Sequence, residues 1–444
     1  MSIQKKISAG ATAVVLALGM FAAYSSIGSH ASVQAQNGAP RYKFDPEWPK
    51  PLPNKWKIGG ITGLAVDPKD DTVWAYDRPN DLTNIELEGE IGIADCCTLP
   101  PSMIHFDKQG NVIGSFVAPQ GHGMDVDSKG FAYLGQNTVR KYDVKTGKLV
   151  GAIEHTPDLE NGGKFQEETS VPPHTPGRGG TGPVAGFLPP PAAGEGRGGR
   201  GGRGNVDPAA QAAARAAFRA KYPPTTPMIV GGIEEIRINE TDNEIYVADN
   251  YLGGRVMVFD LASFKFKRGW GAYGHKLTEI STNEGDHAYK PNGPMAKEFV
   301  GHLTFNFSND GLVYAADRNG NRIHVTDKQG NFKKEFKLAE YTGVGGSTGG
   351  VAFSSDKAQK YLYISDLTNN HIWFIERETG KVVGQLGSMG ENGGQFFGIH
   401  MIATDSKGNI YTGEVFAGER VQRFVPADSP RGKLMEQLLR APLN

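Results

Sequence analysis

Cysteine is nearly absent. Among 444 residues there are two, Cys96 and Cys97, adjacent in "DCCTLPP", so no disulfide framework can hold the fold. One peptide places neighbouring Cα atoms closer than an ordinary disulfide prefers, and the pair is therefore expected as two buried free thiols, with a strained ring disulfide or a redox role as the alternative. Net charge is equally scarce: 47 basic side chains against 48 acidic ones leave a balance of -1. That provides no global field for nucleic acid or anionic lipid, and partners have to be argued locally. Helical periodicity is nearly missing too. The one long apolar run, Ile7 to about Ile27, follows Lys5 and Lys6 and precedes the small residues of "SHA" and "VQA". This pattern predicts an export signal over residues 1–35, cleaved after Ala31 or Ala35, and a periplasmic or secreted mature protein with no membrane contact after cleavage. Left uncleaved, the run would be just long enough to anchor the chain.

What the chain does have is short strands rich in Val, Ile, Tyr and Phe, separated by Asp, Asn, Gly and Lys turns. Six units recur: "ITGLAVDPKDDTVWAYDR", "GHGMDVDSKGFAYLGQNTVRKYD", "IEEIRINETDNEIYVADNYLGGRVMVFD", "GHLTFNFSNDGLVYAADRNGNRIHVTD", "GGVAFSSDKAQKYLYISDLTNNHIWFIE" and "GIHMIATDSKGNIYTGEVFAGERVQRF". Each holds an inner strand, a polar turn, a second strand ending near Asp or Glu, and a third strand. Segments such as "GKLVGAI" and "FKKEFKL" supply a fourth. Four strands per unit is a propeller blade, and six stacked blades share one core around a central channel. The fold expected over residues 36–444 is therefore an all-β six-bladed propeller, with "RYKFDPEW" near residue 41 supplying the last blade's outer strand. The runs "ADRNGNRIHV", "ADNYLGGRVMVF" and "SDLTNNHIWFI" resemble NHL repeats, which is specific for the fold and says little about function.

Residues 155–228 do not fit the ring. They turn to "TPGRGGTGPVAG", "PPPAAGEGRGGRGGRG" and "DPAAQAAARAAFRAKYPP", too poor in apolar residues to pack, and predict a flexible, disordered Gly/Pro/Arg-rich insertion between blades two and three. Within it, Asp207 and Pro208 can start a short Ala-rich helix that Pro223 and Pro224 stop. The Arg-Gly repeats lack the interleaved aromatics that single-stranded RNA binding uses, and no nucleic-acid partner is expected.

Aligned on their first residues, the inner strands begin with Thr62, His122, Glu234, His302, Gly349 or Gly350, and His400. Residues at one level of different blades converge on the axis, and three imidazoles around an open fourth position are a common way to hold a catalytic zinc. Taken singly, each histidine could simply bond a carbonyl at a blade edge; it is the recurrence at one slot that points to Zn2+. Just past the acidic ends of the second strands stand Arg78, Tyr251 and Arg318, two anion binders and a phenol able to do acid/base work.

The motifs "GLAVDPKDDTVWAYDR", "GHGMDVD", "IYVADNYLGGRVMVF", "GHLTFNF", "VYAADRNGNRI" and "IHMIATDSKGNIYTGE" resemble successive blades of peptidyl-α-hydroxyglycine α-amidating lyases. The resemblance implies that His122, His302 and His400 bind zinc, that Tyr251 and Arg318 act on the substrate hydroxyl, and that Arg78 holds the carboxylate. It implies a carbon–nitrogen lyase that splits a small-molecule or peptidyl α-hydroxy amide (a carbinolamide) into an amide and glyoxylate. With zinc and Arg318 beside it, the Tyr251 phenol is expected to have its pKa lowered toward neutrality. In the animal lyases an aspartate after the last zinc histidine binds a structural calcium. Met401 stands there in this chain, and its thioether is too soft for calcium, so calcium is not expected. The 444 residues also hold no counterpart of the copper monooxygenase domain that makes hydroxyglycine for the animal lyases. Two other readings fit the fold: a non-catalytic NHL propeller that binds a protein or glycan, and a metal-dependent hydrolase. Hydrolases of that kind usually hold calcium with carboxylate and Asn ligands, unlike a three-histidine set.

Overall fold

Alternation of β-branched and aromatic residues with polar ones, interrupted by polar turns such as the DKQG and DSKG runs, leaves the chain few options besides short antiparallel strands. The computed structural model describes residues 38–82, 97–157, 208–283, 286, 296–343, 345–416 and 418–440. They form six four-stranded antiparallel sheets, and the inner strands touch one another in cyclic order, closing a six-bladed β-propeller. From blade one to blade six the inner strands are Gly60–Val66, Met124–Val126, Ile233–Asn239, Leu303–Phe307, Val351–Phe353 and Ile399–Thr404. The outermost strand of blade six is Tyr42–Phe44, paired with Val421–Pro426 as the "RYKFDPEW" pattern predicts. The strand Tyr42–Phe44 thus latches onto the last blade and joins the two ends of the ring.

The core is divided among the blade interfaces. Six clusters of buried apolar side chains each draw on two neighbouring blades, for example Ile323, Val325, Val351, Ile364 and Trp373 between blades four and five, and Ile61, Ile104, Met401 and Tyr411 between blades six and one. Trp48 seals the latter by packing on Phe106 and Tyr411. A blade buries its faces only against its neighbours, so the ring is cooperative by construction.

The Asp-to-Arg spacing that resembles NHL repeats has a direct physical role. Asp249 pairs across the ladder with Arg255, Asp317 with Arg322 and Asp366 with His371, and the ion pairs Asp249–Arg255 at 2.8 Å and Asp317–Arg322 at 2.7 Å are fully buried. Each pair ties the end of a second strand to the start of the third, which fixes the loop that leaves at the channel mouth. Arg255 also donates to the carbonyls of Pro224, Thr226 and Met228. Removing it would leave a buried carboxylate uncompensated, so Arg255→Ala is expected to cost about 3–5 kcal/mol, read as a shift in the denaturant midpoint. A loss under about 1 kcal/mol, the range of exposed pairs, would mean that Asp249 reaches water.

Two helices occur among the described residues, Pro208–Lys221 (α1) and Pro430–Arg440 (α2). The first is the Ala-rich helix read from the sequence. It is more than a linker segment, because Phe218 and Arg219 are buried and Arg219 Nε donates to the Leu252 carbonyl at 3.2 Å. Residues 208–228 therefore pack on blade three, where poverty in apolar side chains had predicted a flexible segment; one Phe, one buried Arg and backbone carbonyls are enough to hold them. The Gly/Pro/Arg-rich stretch from 158 to 207 and the export signal expected over residues 1–35 lie outside the described residues. The expectation of two free thiols is corrected: Cys97 is disulfide-bonded, and Cys96, its only possible partner in this chain, lies outside the described residues. Neighbours need almost no loop closure to meet, which offsets an unfavourable local geometry. No helix among the described residues is long and apolar enough to cross a membrane.

Candidate metal centre

Three devices place the histidines. His122 precedes its strand; its N–H donates to the Gly135 carbonyl at 2.8 Å, and the next residue, Gly123, reaches the Thr62 carbonyl of blade one at 2.8 Å. His302 stands one residue ahead of Leu303, and its carbonyl accepts the Arg318 N–H at 2.9 Å. His400 is the extra residue of a β-bulge, since Ile399 pairs with Glu414 and Met401 with Gly413. Bulges re-aim single side chains, and this one turns His400 toward the axis while its carbonyl accepts Ser365 Oγ at 2.8 Å. Similar irregularities occur at Thr62 and at Glu234–Glu235.

The three rings meet. His122 Nε2 lies 3.3 Å from His400 Nε2 and 3.3 Å from His302 Nε2, and the rings stand nearly edge to face, with centroids 4.6–5.0 Å apart. Among the described residues this is the group of His, Cys, Asp and Glu side chains that could hold a metal ion. The spacing fits one. Nitrogens on a tetrahedral ion at bond lengths of about 2.0–2.1 Å stand roughly 3.3–3.4 Å apart. His122 Nδ1 lies 2.7 Å from the Glu234 carbonyl, a contact that requires Nδ1 to donate and leaves the Nε2 lone pair facing the centre. His302 and His400 are buried, and their Nδ1 atoms have no hydrogen-bond partner among the described residues. Burial holds all three imidazoles neutral: His122 is pushed down to about 3, and His302 and His400 fall well below the ordinary histidine value, with the Arg318 charge adding to the effect in each. Three neutral nitrogen donors with cations nearby suit a dication that accepts an anionic ligand.

The rim residues join this cluster. Arg318 bears electrostatically on all three histidines and on Tyr251, and Arg78 on His122, His400 and Tyr251. Arg318 Nε is buried without a partner among the described residues, while Arg78 Nη2 is held by Asp81 at 3.0 Å, which leaves its remaining donors to the mouth. Tyr251 follows Asn250, whose side-chain amide donates to Glu234 Oε2 at 3.1 Å. Half of the Tyr251 side chain is exposed, but its hydroxyl end turns into the enclosed side, toward Glu234. Burial and that carboxylate raise the phenol's pKa far above its usual value, and Arg318 and Arg78 pull the other way. Burial, the larger cause, and Glu234 act here without a metal, whereas the lowering expected from the sequence is the effect of bound zinc together with Arg318.

Glu234 is the residue that sequence reasoning missed. It is fully buried, its backbone carbonyl orients His122, and its carboxylate accepts the Leu303 N–H beside His302. Burial raises its pKa well above the usual carboxylate range, and Oε1 has no well-formed partner among the described residues. The available signal was its slot: Glu234 heads the inner strand of blade three just as the histidines head theirs. Met401 points the other way, into the apolar cluster between blades six and one. No protein-family model matches this chain, and no curated protein matches its sequence. The fold is thus a six-bladed β-propeller whose channel mouth carries a three-histidine centre able to hold a metal ion, with two arginines, a tyrosine and a buried glutamate around it.

Proposed function

We propose that the protein is a zinc-dependent lyase that cleaves an α-hydroxy amide bearing a carboxylate, R–CO–NH–CH(OH)–COO⁻, into the amide R–CO–NH2 and glyoxylate. The observation that carries this reading is the 3.3 Å spacing of the histidine Nε2 atoms beneath a tyrosine and two arginines. His122, His302 and His400 would hold the ion, and zinc supplies Lewis acidity toward a substrate oxygen when bound. The remaining work falls to the chain. Arg78 and Arg318 hold the carboxylate and offset negative charge that develops on oxygen. Tyr251, as the phenolate that a bound ion and the two arginines would favour over burial and Glu234, takes the hydroxyl proton, the O–H electron pair becomes the aldehyde C=O, and the C–N pair leaves with nitrogen, which receives a proton in turn. No water, oxidant or reductant is consumed. The direct test is metal content together with glyoxylate release from an N-acyl-α-hydroxyglycine. About one zinc per chain with turnover supports the proposal; a metal-free protein would favour a binding module.

The site also sets an expected pH behaviour. Protons compete with a metal for Nε2 only below the imidazole pKa, and in the folded protein these values are depressed, to about 3 for His122 and well below 6.5 for the other two. Lowering the pH from 7 to 5 is therefore expected to leave bound zinc in place, whereas ordinary histidines would begin to shed it near 6.5. Equilibrium dialysis at pH 7, 6 and 5 with metal analysis checks this, and metal loss centred near pH 6.5 would show that the ligands are solvated.

A further inference from the structure

Tyr251 has a counterpart on the far side of the mouth. It lies two residues beyond Asp249, the end of the second strand in blade three, and Phe416 lies two residues beyond Glu414, the end of the second strand in blade six. The match extends to the packing. Tyr251 stands over Gly232, where an added Cβ would come within 2.5 Å of the Tyr251 Cβ. Phe416 stands over Gly398, where an added Cβ would come within 3.3 Å of the Phe416 ring. Both glycines have positive φ, +77° and +97°, and each sits two residues before the strand-head residue, Glu234 in one case and His400 in the other. Blades three and six face each other across a six-membered ring, so the two residues hold equivalent places on opposite sides of the rim at which the histidine-bearing strands begin. They are also equally open, Tyr251 at 52% and Phe416 at 51% exposure.

Phe416 is a large apolar ring left half in water at the channel mouth, on a backbone with φ +54° that non-glycine residues rarely adopt. The Arg78 side of the mouth adjoins it, since Gly60, the ladder partner of Arg78, lies against Val415. The strand end that carries Arg78 thus neighbours the loop that carries Phe416. We infer that Phe416 forms an apolar subsite for the acyl part of the substrate, so that the preferred substrates are α-hydroxy amides joining a carboxylate to an aliphatic or aromatic acyl chain. The inference rests on the lyase reading for its reaction, and on the geometry of Phe416 for the chain preference. With the carboxylate on the arginines and the hydroxyl toward Tyr251, the acyl group leaves along the Phe416 face and removes apolar surface from water.

N-acylglycines, which lack the hydroxyl and cannot be cleaved, separate binding from turnover. Acetyl-, hexanoyl- and phenylacetylglycine are titrated into the zinc-loaded protein by calorimetry, and glyoxylate release is measured for the matching α-hydroxyglycines. The longer chains are expected to bind about tenfold or more tighter than acetyl and to lower KM with little change in kcat. Phe416→Ala should erase most of that difference with zinc content unchanged, and Phe416→Leu should keep the preference for hexanoyl while losing part of that for phenylacetyl. Turnover with no dependence on chain, or a chain preference that survives Phe416→Ala, would overturn the subsite and leave the lyase reading standing. Chain-dependent binding with no glyoxylate from any compound would sink the lyase reading and leave the subsite.

Discussion

His302→Ala is expected to leave a folded propeller that no longer retains zinc. The side chain contributes little to the fold: Nδ1 has no hydrogen-bond partner among the described residues, and Nε2 meets the other two imidazoles rather than the scaffold. Its backbone carbonyl, which holds the Arg318 N–H, survives the change. Two imidazoles remain, and metal affinity should fall by more than about a hundredfold, beyond the range for loss of a merely supporting hydrogen bond. Metal analysis after dialysis against a weak chelator reads the loss, and circular dichroism with thermal unfolding reads the fold. Full zinc retention would show that His302 is not a ligand, and collapse of the fold would show that the triad is chiefly structural.

Tyr251→Phe separates chemistry from the metal. The substitution removes one oxygen from a half-exposed side chain, so packing over Gly232 is kept and zinc content should be unchanged. Glyoxylate release should fall by about 10²–10⁴-fold if the phenol takes the hydroxyl proton, with the loss in kcat rather than in KM. Undiminished turnover would assign the proton to another group, and Glu234 is the nearest titratable side chain, since it interacts directly with Tyr251. Loss of zinc along with activity would make Tyr251 part of the metal's surroundings rather than the base.

Much of this was legible in the sequence because the relevant physics is local. Strand–turn–strand alternation specifies a blade and six such units specify the ring, whereas the buried ion pairs behind the Asp-to-Arg spacing became visible only in the structure. His122, His302 and His400 could be aligned because each occupies the head of an inner strand, and Arg78, Tyr251 and Arg318 because each follows the acidic end of a second strand. The Ala-rich helix was visible from its proline boundaries. The packing of Phe218 and Arg219 against blade three was not, because it depends on what lies beside the helix in space.

The sequence by itself determined the repeat, the fold and the convergence of residues at equivalent slots. Only the tertiary structure decided the rest, since distances between residues hundreds of positions apart depend on how the ring closes and on single-residue bulges. The bulge at His400 turns its ring to within 3.3 Å of His122. The loop after the second strand of blade three brings Tyr251 to Glu234 of the same blade, and the contact of blades three and four sets Glu234 against Leu303, so that without a metal burial and this carboxylate raise the phenol's pKa. Opposition of blades three and six places Phe416 across from Tyr251, a relation between residues 165 positions apart that no local pattern encodes, because it arises from six-fold closure of the ring.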